Sequence, residues 1–156
     1  MKKIALVGVV CAALLLPAAV SAASRGLGKP SVTMHFLEIQ TKFAATIAQN
    51  QAPKLGDRFW FHSEFYNWHG GKRGTHLGHG DASAVFLAGG ILQLTGIASL
   101  PGGTLTVLGE TGPGGNSTLA IVGGTGVYAD ARGEVVIQPI GGENSNESAD
   151  TVRLWN

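Results

Sequence analysis

The stretch AIVGGTGVYADARGEV, residues 120–135, is rich in glycine and invites comparison with nucleotide-binding loops. Its glycines are Gly123, Gly124, Gly126 and Gly133. A phosphate-binding loop needs a lysine and a Ser or Thr after its last glycine, and a dinucleotide-binding turn needs a helix within a βαβ unit. Here Val127 follows Gly126, and the chain then enters another strand-like segment. Glycines between two strands more simply supply positive φ angles and a tight bulged turn, so the stretch predicts an all-β protein with structural glycines.

The composition is typical of one folded, turn-rich β domain. Of the 156 residues, 44% are apolar and 13% are charged, and the 24 glycines follow no collagen-like period. Such a chain can form a core and is not of the disordered class. Its length fits a single domain, which we place at residues 23–156.

The N-terminal segment, residues 1–22, has the three-part pattern of a secretory signal peptide. Lys2 and Lys3 precede the apolar run 4–16, Pro17 ends that run, and small residues at 20–22 suit a signal peptidase. The run is too short for a comfortable membrane span, although an uncleaved N-terminal anchor is the alternative. We therefore expect a secreted or periplasmic protein with no membrane attachment after cleavage.

Removal of residues 1–22 changes the cysteine content and the charge. The single cysteine, Cys11, is lost, so the mature chain has no disulfide. Loss of two of the 11 basic residues leaves nine against 10 acidic ones, a formal charge of −1. A near-neutral chain argues against nucleic acid or an anionic membrane as the main partner.

Short apolar alternations between turn signals predict eight β-strands. Eight antiparallel strands can close into a barrel without exposed edges, and a two-sheet sandwich is the alternative. Residues 41–56 are ambiguous, because they could extend the first strand or form a loop with a helical turn. The predicted strands are residues 31–40, 57–66, 82–89, 91–100, 103–110, 117–123, 133–140 and 150–155.

The second predicted strand separates its side chains cleanly between two faces. One face carries Phe59, Phe61 and Phe65. The other face carries Trp60, His62, Glu64 and Tyr66. The phenylalanine face is expected to be the interior, since burial of the rings is favourable and leaves no polar atom unpaired. Glu64 is then expected to point outward.

A histidine-rich segment, residues 67–81, follows this strand. Its histidines, with His62 nearby, could supply imidazole ligands to zinc or copper. However, His76 and His79 stand three apart among glycines, a spacing that does not fix ligands on one face. We therefore expect an exposed, flexible hairpin loop and no metal. The histidines of this segment are His69, His76 and His79.

The glycine stretch also resembles a known family signature. The sequence IVGGTGVYADARGEV is similar to a motif near the C-terminal end of dirigent proteins and their bacterial relatives, which share the allene oxide cyclase barrel. Three further blocks resemble family strands in the same order, so the resemblance spans about residues 31–140. These blocks are residues 56–67, 74–86 and 96–109.

This resemblance implies an eight-stranded antiparallel β-barrel with an apolar cavity, in a homodimer or homotrimer. Allene oxide cyclases fold a reactive epoxide into one ring isomer, and dirigent proteins steer the coupling of reactive phenolic intermediates. Together with the signal-like segment, the resemblance implies an exported barrel that binds a small apolar molecule and directs its stereoselective cyclisation or coupling. We expect no cofactor. A non-catalytic carrier or a purely structural barrel is the alternative.

The resemblance carries over to individual residues only in part. Arg132 matches the arginine of the family motif and is the first catalytic and ligand-binding candidate. We expect it inside the cavity as a cation, with a role in fixing the bulge as the alternative. Glu38 is the second catalytic candidate, because allene oxide cyclases place a glutamate on an early strand. Dirigent acids are missing, since Val127 and Ser63 stand at those positions. The remaining ligand-binding candidates are Phe59, Phe61, Phe65 and Tyr128.

Overall fold

The computed structural model describes residues 29–47, 51–112, 115–141 and 145–155. Within these ranges eight antiparallel strands pair in chain order and close into a barrel, so the barrel prediction is confirmed over the sandwich. Two short 3₁₀ turns, Ala88–Gly90 and Gly126–Tyr128, lie between strands. The strands are β1 (Val32–Ala45), β2 (Arg58–His69), β3 (Lys72–Phe86), β4 (Leu92–Leu100), β5 (Gly103–Thr111), β6 (Ser117–Gly124), β7 (Arg132–Ile140) and β8 (Glu147–Trp155).

The predicted signal segment, residues 1–22, lies outside the described residues. In the part of the chain that is described, no helix is long and apolar enough to cross a membrane.

The histidine-rich segment is part of the barrel wall, and its interpretation as a flexible loop was wrong. β2 continues to His69, and β3 begins at Lys72. The connection is a tight hairpin at Gly70 and Gly71, whose φ angles are 57° and 78°. Two consecutive positive φ angles suit the twist of a two-residue hairpin, and glycine adopts them without steric cost. The glycine-rich composition therefore marked a sharp turn and close strand packing.

The ambiguous segment after residue 40 first extends β1 and then leaves the sheet. β1 runs to Ala45, so the first of the two alternatives holds as far as that residue. Thr41 is an extra residue in the pairing, because Gln40 pairs with Ser63 while Lys42 pairs with His62. Such a β-bulge shifts the alternation of side chains beyond it.

The two ends of the barrel differ in how they are filled. We call the end where β1 stops and β2 starts the Phe43 rim, and the opposite end the Tyr128 rim. At the Tyr128 rim, buried apolar side chains close the interior, and Tyr128 packs against them. These side chains include Leu100, Leu105, Ala131 and Leu154. The core is thus concentrated toward the Tyr128 rim.

The glycine stretch forms the connection between β6 and β7 at the Tyr128 rim. Among its four glycines, only Gly126 has a positive φ, at 61°. Gly124 and Gly133 are instead confined by space, because a Cβ would collide with the carbonyl oxygens of Thr104 and Arg153 respectively. The expectation of positive φ angles therefore holds for Gly126 alone. Gly123 is less constrained, since a Cβ there would meet only the Arg132 side chain at 3.7 Å.

Candidate functional site

A cavity of about 100 Å³ lies inside the barrel. Its walls are mainly apolar, and Phe61, Phe65, Leu94 and Ile137 are among the lining residues. The polar side chains in the lining include Glu38, Ser63 and Asp150. Concave, largely apolar sites with a few convergent polar groups are typical of small-molecule binding.

Small residues on β3 and β4 leave the space for this cavity. Ala82 pairs with Gly96 and Gly80 pairs with Ala98, and all four contribute to the lining. The Phe65 ring lies across Gly80, where an added Cβ would come within 2.7 Å of the ring. Larger side chains at these positions would fill the interior, as they do in the core at the Tyr128 rim. The sequence therefore encodes a cavity through Gly and Ala at inward-facing positions.

Two carboxyl groups meet in the wall formed by β1 and β8. Phe36 pairs with Asp150, and Glu38 pairs with Ser148. The inward alternation therefore makes Glu38 and Asp150 diagonal neighbours on one face. Asp150 is only 4% exposed, and its Oδ1 accepts a 2.7 Å hydrogen bond from the Ser148 hydroxyl. The cavity thus carries an acid pair in an otherwise apolar wall.

The surroundings of Asp150 favour its neutral form. Burial is the largest cause that raises the pKa of the Asp150 carboxyl well above its usual range. The charge of Glu38 and a hydrogen bond to Glu38 act in the same direction, whereas the Ser148 hydrogen bond lowers the pKa. The raised pKa favours the protonated carboxyl, and a protonated carboxyl can donate a hydrogen bond or a proton to a bound molecule.

The predicted cavity residues are distributed between the cavity, its rim and the outer surface. Glu38, Phe61 and Phe65 line the cavity, and Phe59 is buried on the same face of β2. The expectation that the phenylalanine face points inward is confirmed. Tyr128 does not contact the cavity and donates a 3.4 Å hydrogen bond to the Pro101 carbonyl oxygen.

Arg132 lies on the outside of the barrel, and its placement in the cavity was wrong. It is exposed and borders an outer depression with Val127 and Trp155. Its Nη1 donates a 2.7 Å hydrogen bond to the carbonyl oxygen of Ala131. Strand alternation explains the position, because Val135 and Ile137 of the same strand face inward, and Arg132 is out of phase with them.

The outer face of β2 and β3 carries a chain of acidic and imidazole groups. His62 Nδ1 lies 2.8 Å from Asp81 Oδ1, and His62 Nε2 lies 3.5 Å from Glu64 Oε1. His76 Nε2 lies 2.6 Å from Glu64 Oε2, and this hydrogen bond lowers the pKa of the Glu64 carboxyl. Glu64 therefore faces outward, as expected. Over the described ranges, no group of three or more His, Cys, Asp or Glu side chains could hold a metal ion.

Asp150 and Ser148 are the site residues that the sequence analysis missed. The predicted last strand began at Asp150, and Asp150 alternates in phase with Val152 and Leu154, which are both buried. That phase would have placed the carboxyl inside the barrel. Ser148 was outside the predicted strand, because β8 begins three residues earlier, at Glu147.

No protein-family model and no curated protein sequence matches the chain. Several solved structures share its fold. A pyocyanin demethylase is 20% identical, with a TM-score of 0.64 over 80% of this chain and 100% of that chain. The pterocarpan synthase dirigent protein GePTS1 is 15% identical, with a TM-score of 0.61 over 79% of this chain and 82% of that chain.

A third similar structure is the Diels-Alderase AbmU from Streptomyces koyangensis. It is 15% identical, with a TM-score of 0.58 over 78% of this chain and 62% of that chain. The chain has the barrel fold of the dirigent proteins. The dirigent-like resemblance is thereby confirmed at the level of the fold, which these proteins share with a Diels-Alderase and a pyocyanin demethylase. Fold alone does not define the reaction, which has to be argued from the site.

Proposed function

We propose that this barrel binds a small apolar molecule that carries a hydrogen-bonding group, and that it directs a cyclisation or rearrangement of that molecule by proton transfer. The observation that carries the proposal is the acid pair, Glu38 and Asp150, in the apolar wall of the cavity. A structural barrel would gain nothing from a buried carboxyl, since burial of such a group is unfavourable.

The two acids have complementary chemical roles in this proposal. The Asp150 O–H donates to an oxygen or nitrogen of the bound molecule and withdraws electrons from the reacting bonds. The Glu38 carboxylate accepts a proton from carbon or stabilises a developing positive charge. Apolar walls hold the molecule in one orientation and exclude water, which favours one product over others.

The cavity volume limits the size of the ligand. A cavity of roughly 150 Å³ lined by apolar side chains binds benzene in another protein. The cavity here holds about 100 Å³ in the absence of a ligand, so a molecule on the scale of a single ring fits best. Larger molecules would need the barrel wall or a rim to move.

The structural neighbours support a ligand-directing role. They include a pterocarpan synthase dirigent protein, a cyclase that catalyses a [4 + 2] cycloaddition and a Diels-Alderase. The acid pair provides independent support, because it is observed in this chain's own cavity wall. The second candidate function, a non-catalytic carrier, is favoured only by the predominance of apolar lining residues.

The acid–base pair can be tested without knowledge of the natural substrate. The isomerisation of 3-cyclohexen-1-one to 2-cyclohexen-1-one needs an acid at the oxygen and a base that moves one proton between carbons, with no other reactant. The conjugated product is followed by its ultraviolet absorbance. We expect the wild type to accelerate the reaction, and both D150N and E38Q to lose most of that acceleration.

The control for this experiment is E64Q, which removes a carboxyl from the outer face of the barrel and should retain full activity. If the wild type and D150N accelerate the isomerisation equally, the proposed acid–base role is wrong. If the wild type binds single-ring ketones without any acceleration, the carrier function is the correct one.

Export and self-association complete the proposal. We infer a secreted or periplasmic location from the signal-like segment 1–22. A homo-oligomer is supported by three exposed apolar side chains on the outer face of β4, β5 and β6, which are Ile97, Leu108 and Val122. Light scattering coupled to size exclusion would measure the assembly, and a monomeric mass would contradict this part of the proposal.

A further inference from the structure

The bulge in β1 turns an aromatic ring toward the inside of the barrel at the Phe43 rim. Before the bulge, Phe36 and Glu38 point into the barrel from even-numbered positions. The extra residue, Thr41, reverses the phase, so the odd-numbered Phe43 pairs with Phe61 on the inward side. Without the bulge, Phe43 would face solvent on the outer wall. Bulges at barrel rims commonly re-aim a side chain in this way.

Phe43 joins two rings of β2 in an aromatic cluster at the Phe43 rim. Its ring centroid lies 5.6 Å from that of Phe61 and 6.0 Å from that of Phe59. Phe59 and Phe61 are stacked with an interplanar angle of 9°. Phe61 also lines the cavity, so the cluster is continuous with the cavity wall.

Exposure distinguishes Phe43 from its two neighbours. Phe43 is 58% exposed, whereas Phe59 is 7% exposed beneath it. The Phe43 ring points toward the inside of the barrel but is largely exposed to solvent. It can therefore rotate away without disrupting the core. Its attraction to the two neighbouring rings opposes that movement, because tilted aromatic pairs are favourable.

The opposite end of the barrel is packed with buried apolar side chains. At the Tyr128 rim, Leu100, Leu105 and Leu154 are buried, and the connection between β6 and β7 packs against them. The acid pair also lies on the Phe43 side of this core, since Glu38 and Asp150 follow Phe36 and precede Val152 along their strands toward that rim.

We propose that Phe43 is the gate of the cavity. A single-ring ligand enters at the Phe43 rim, displaces the Phe43 ring from Phe61 and slides along the stacked faces of Phe59 and Phe61. This inference rests on the proposed function, because it requires a ligand in the cavity. It adds that access is controlled by one side chain whose direction is set by the bulge at Thr41.

A gate differs from a packing residue in its effect on rates. Removal of a gate lowers the barrier to both entry and exit, so both rate constants rise together and affinity changes little. Removal of a binding residue raises only the exit rate, and removal of a packing residue lowers stability. The variants F43A and F43W, with W60A as a control, separate these cases. Trp60 is a 44% exposed aromatic residue on the outer face of β2.

The experiment measures binding of 4-nitroaniline by stopped flow, since its visible absorbance shifts on transfer from water to an apolar site. For F43A we expect the association and dissociation rate constants to rise together by roughly tenfold, with a dissociation constant within about threefold of the wild type. F43W should slow both rates, and W60A should change neither. Thermal melts identify any variant that has lost its fold, and F43L then replaces F43A.

Two results would overturn the gate. One is an unchanged pair of rate constants in F43A and F43L, and the other is a rise in the dissociation rate alone. A wild type that gives no absorbance shift with 4-nitroaniline would overturn both proposals. Loss of isomerisation in D150N with unaltered F43A kinetics would leave the function standing without the gate.

Discussion

The Ser148 hydroxyl donates a 2.7 Å hydrogen bond to Oδ1 of Asp150, and both side chains are buried in the barrel wall. This hydrogen bond favours the charged carboxylate, whereas burial and the neighbouring Glu38 favour the neutral acid. The pKa of Asp150 is raised, so burial and Glu38 together outweigh the Ser148 hydrogen bond. Asp150 therefore binds its proton more tightly in the folded chain than in the unfolded one.

This difference predicts how stability depends on pH. Between the usual pKa of an aspartate and its raised value in the fold, the folded state holds more protons than the unfolded state. The free energy of unfolding should therefore fall as pH rises through that window, with a slope of up to about 1.4 kcal/mol per pH unit for one proton. Denaturant titrations from pH 3 to 9 should show this fall in the wild type and a flatter profile in D150N.

The matched control is E64Q on the outer face. The pKa of Glu64 is lowered by its hydrogen bond to His76, so any stability that it contributes is present at neutral pH and lost as pH falls. In E64Q the free energy of unfolding should still fall as pH rises, as it does in the wild type. A D150N profile as steep as that of the wild type would show that another group causes the decline.

Removal of the Ser148 hydroxyl gives a second test of the groups that set the pKa of Asp150. S148A deletes the one hydrogen bond that lowers the pKa of Asp150, so that pKa should rise further. Titration of the labelled aspartate carboxyl carbons by NMR would follow the change directly. S83A, at an exposed position on β3, should leave the Asp150 titration unchanged. A lower Asp150 pKa in S148A would contradict the arrangement described here.

Sequence patterns predicted the barrel well because each strand has one apolar face. The alternation along β2 placed Phe61 and Phe65 inside the barrel and Glu64 outside it, as observed. The same rule places Arg132 outside, since Val135 marks the inward phase of β7. The error at Arg132 arose because a family motif was given more weight than the strand period.

Other features depend on contacts that one strand cannot reveal. The bulge at Thr41 reverses the face of Phe43 and is visible only in the pairing with β2. The acid pair forms between the first and last strands, so Glu38 and Asp150 come together only when the barrel closes. The length of β3 was also missed, because its glycines at Gly74, Gly78 and Gly80 are typical of loops as well as of closely packed strands.

The cavity itself can be removed by a single substitution. Ala98 faces the interior from β4 and contributes to the cavity lining. A98L should fill much of the space and abolish binding of 4-nitroaniline. Strain from the added atoms should also lower the free energy of unfolding by about 1–3 kcal/mol. S99L, at the next position and on the other face of β4, is the control. Full binding by a folded A98L variant would place the ligand outside the barrel.

The signal-like segment predicts where the mature chain begins. The small residues at 20–22 should be followed by cleavage, so the exported protein should start near Ala23. Intact-mass analysis of protein recovered from the periplasm or medium of an expressing bacterium would measure this directly. Replacement of Leu14 and Leu15 by Arg should abolish export by interrupting the apolar run. An exported protein that retains Met1 would show that the segment is not cleaved.

The last prediction concerns the glycine stretch that first suggested a nucleotide site. Gly126 has a φ of 61°, and an added Cβ would collide with the carbonyl oxygen of Gly102 in the neighbouring hairpin. G126V should therefore lower the free energy of unfolding by about 1–3 kcal/mol through backbone strain, with a larger loss if the hairpin is displaced. G112V is the matched control, because a Cβ at Gly112 would meet no atom of the described residues within 4 Å. Thermal melts should show a lower midpoint for G126V alone, and ATP or NAD should shift the midpoint of neither protein. A rise in the wild-type midpoint with either nucleotide would instead make this turn a phosphate-binding loop.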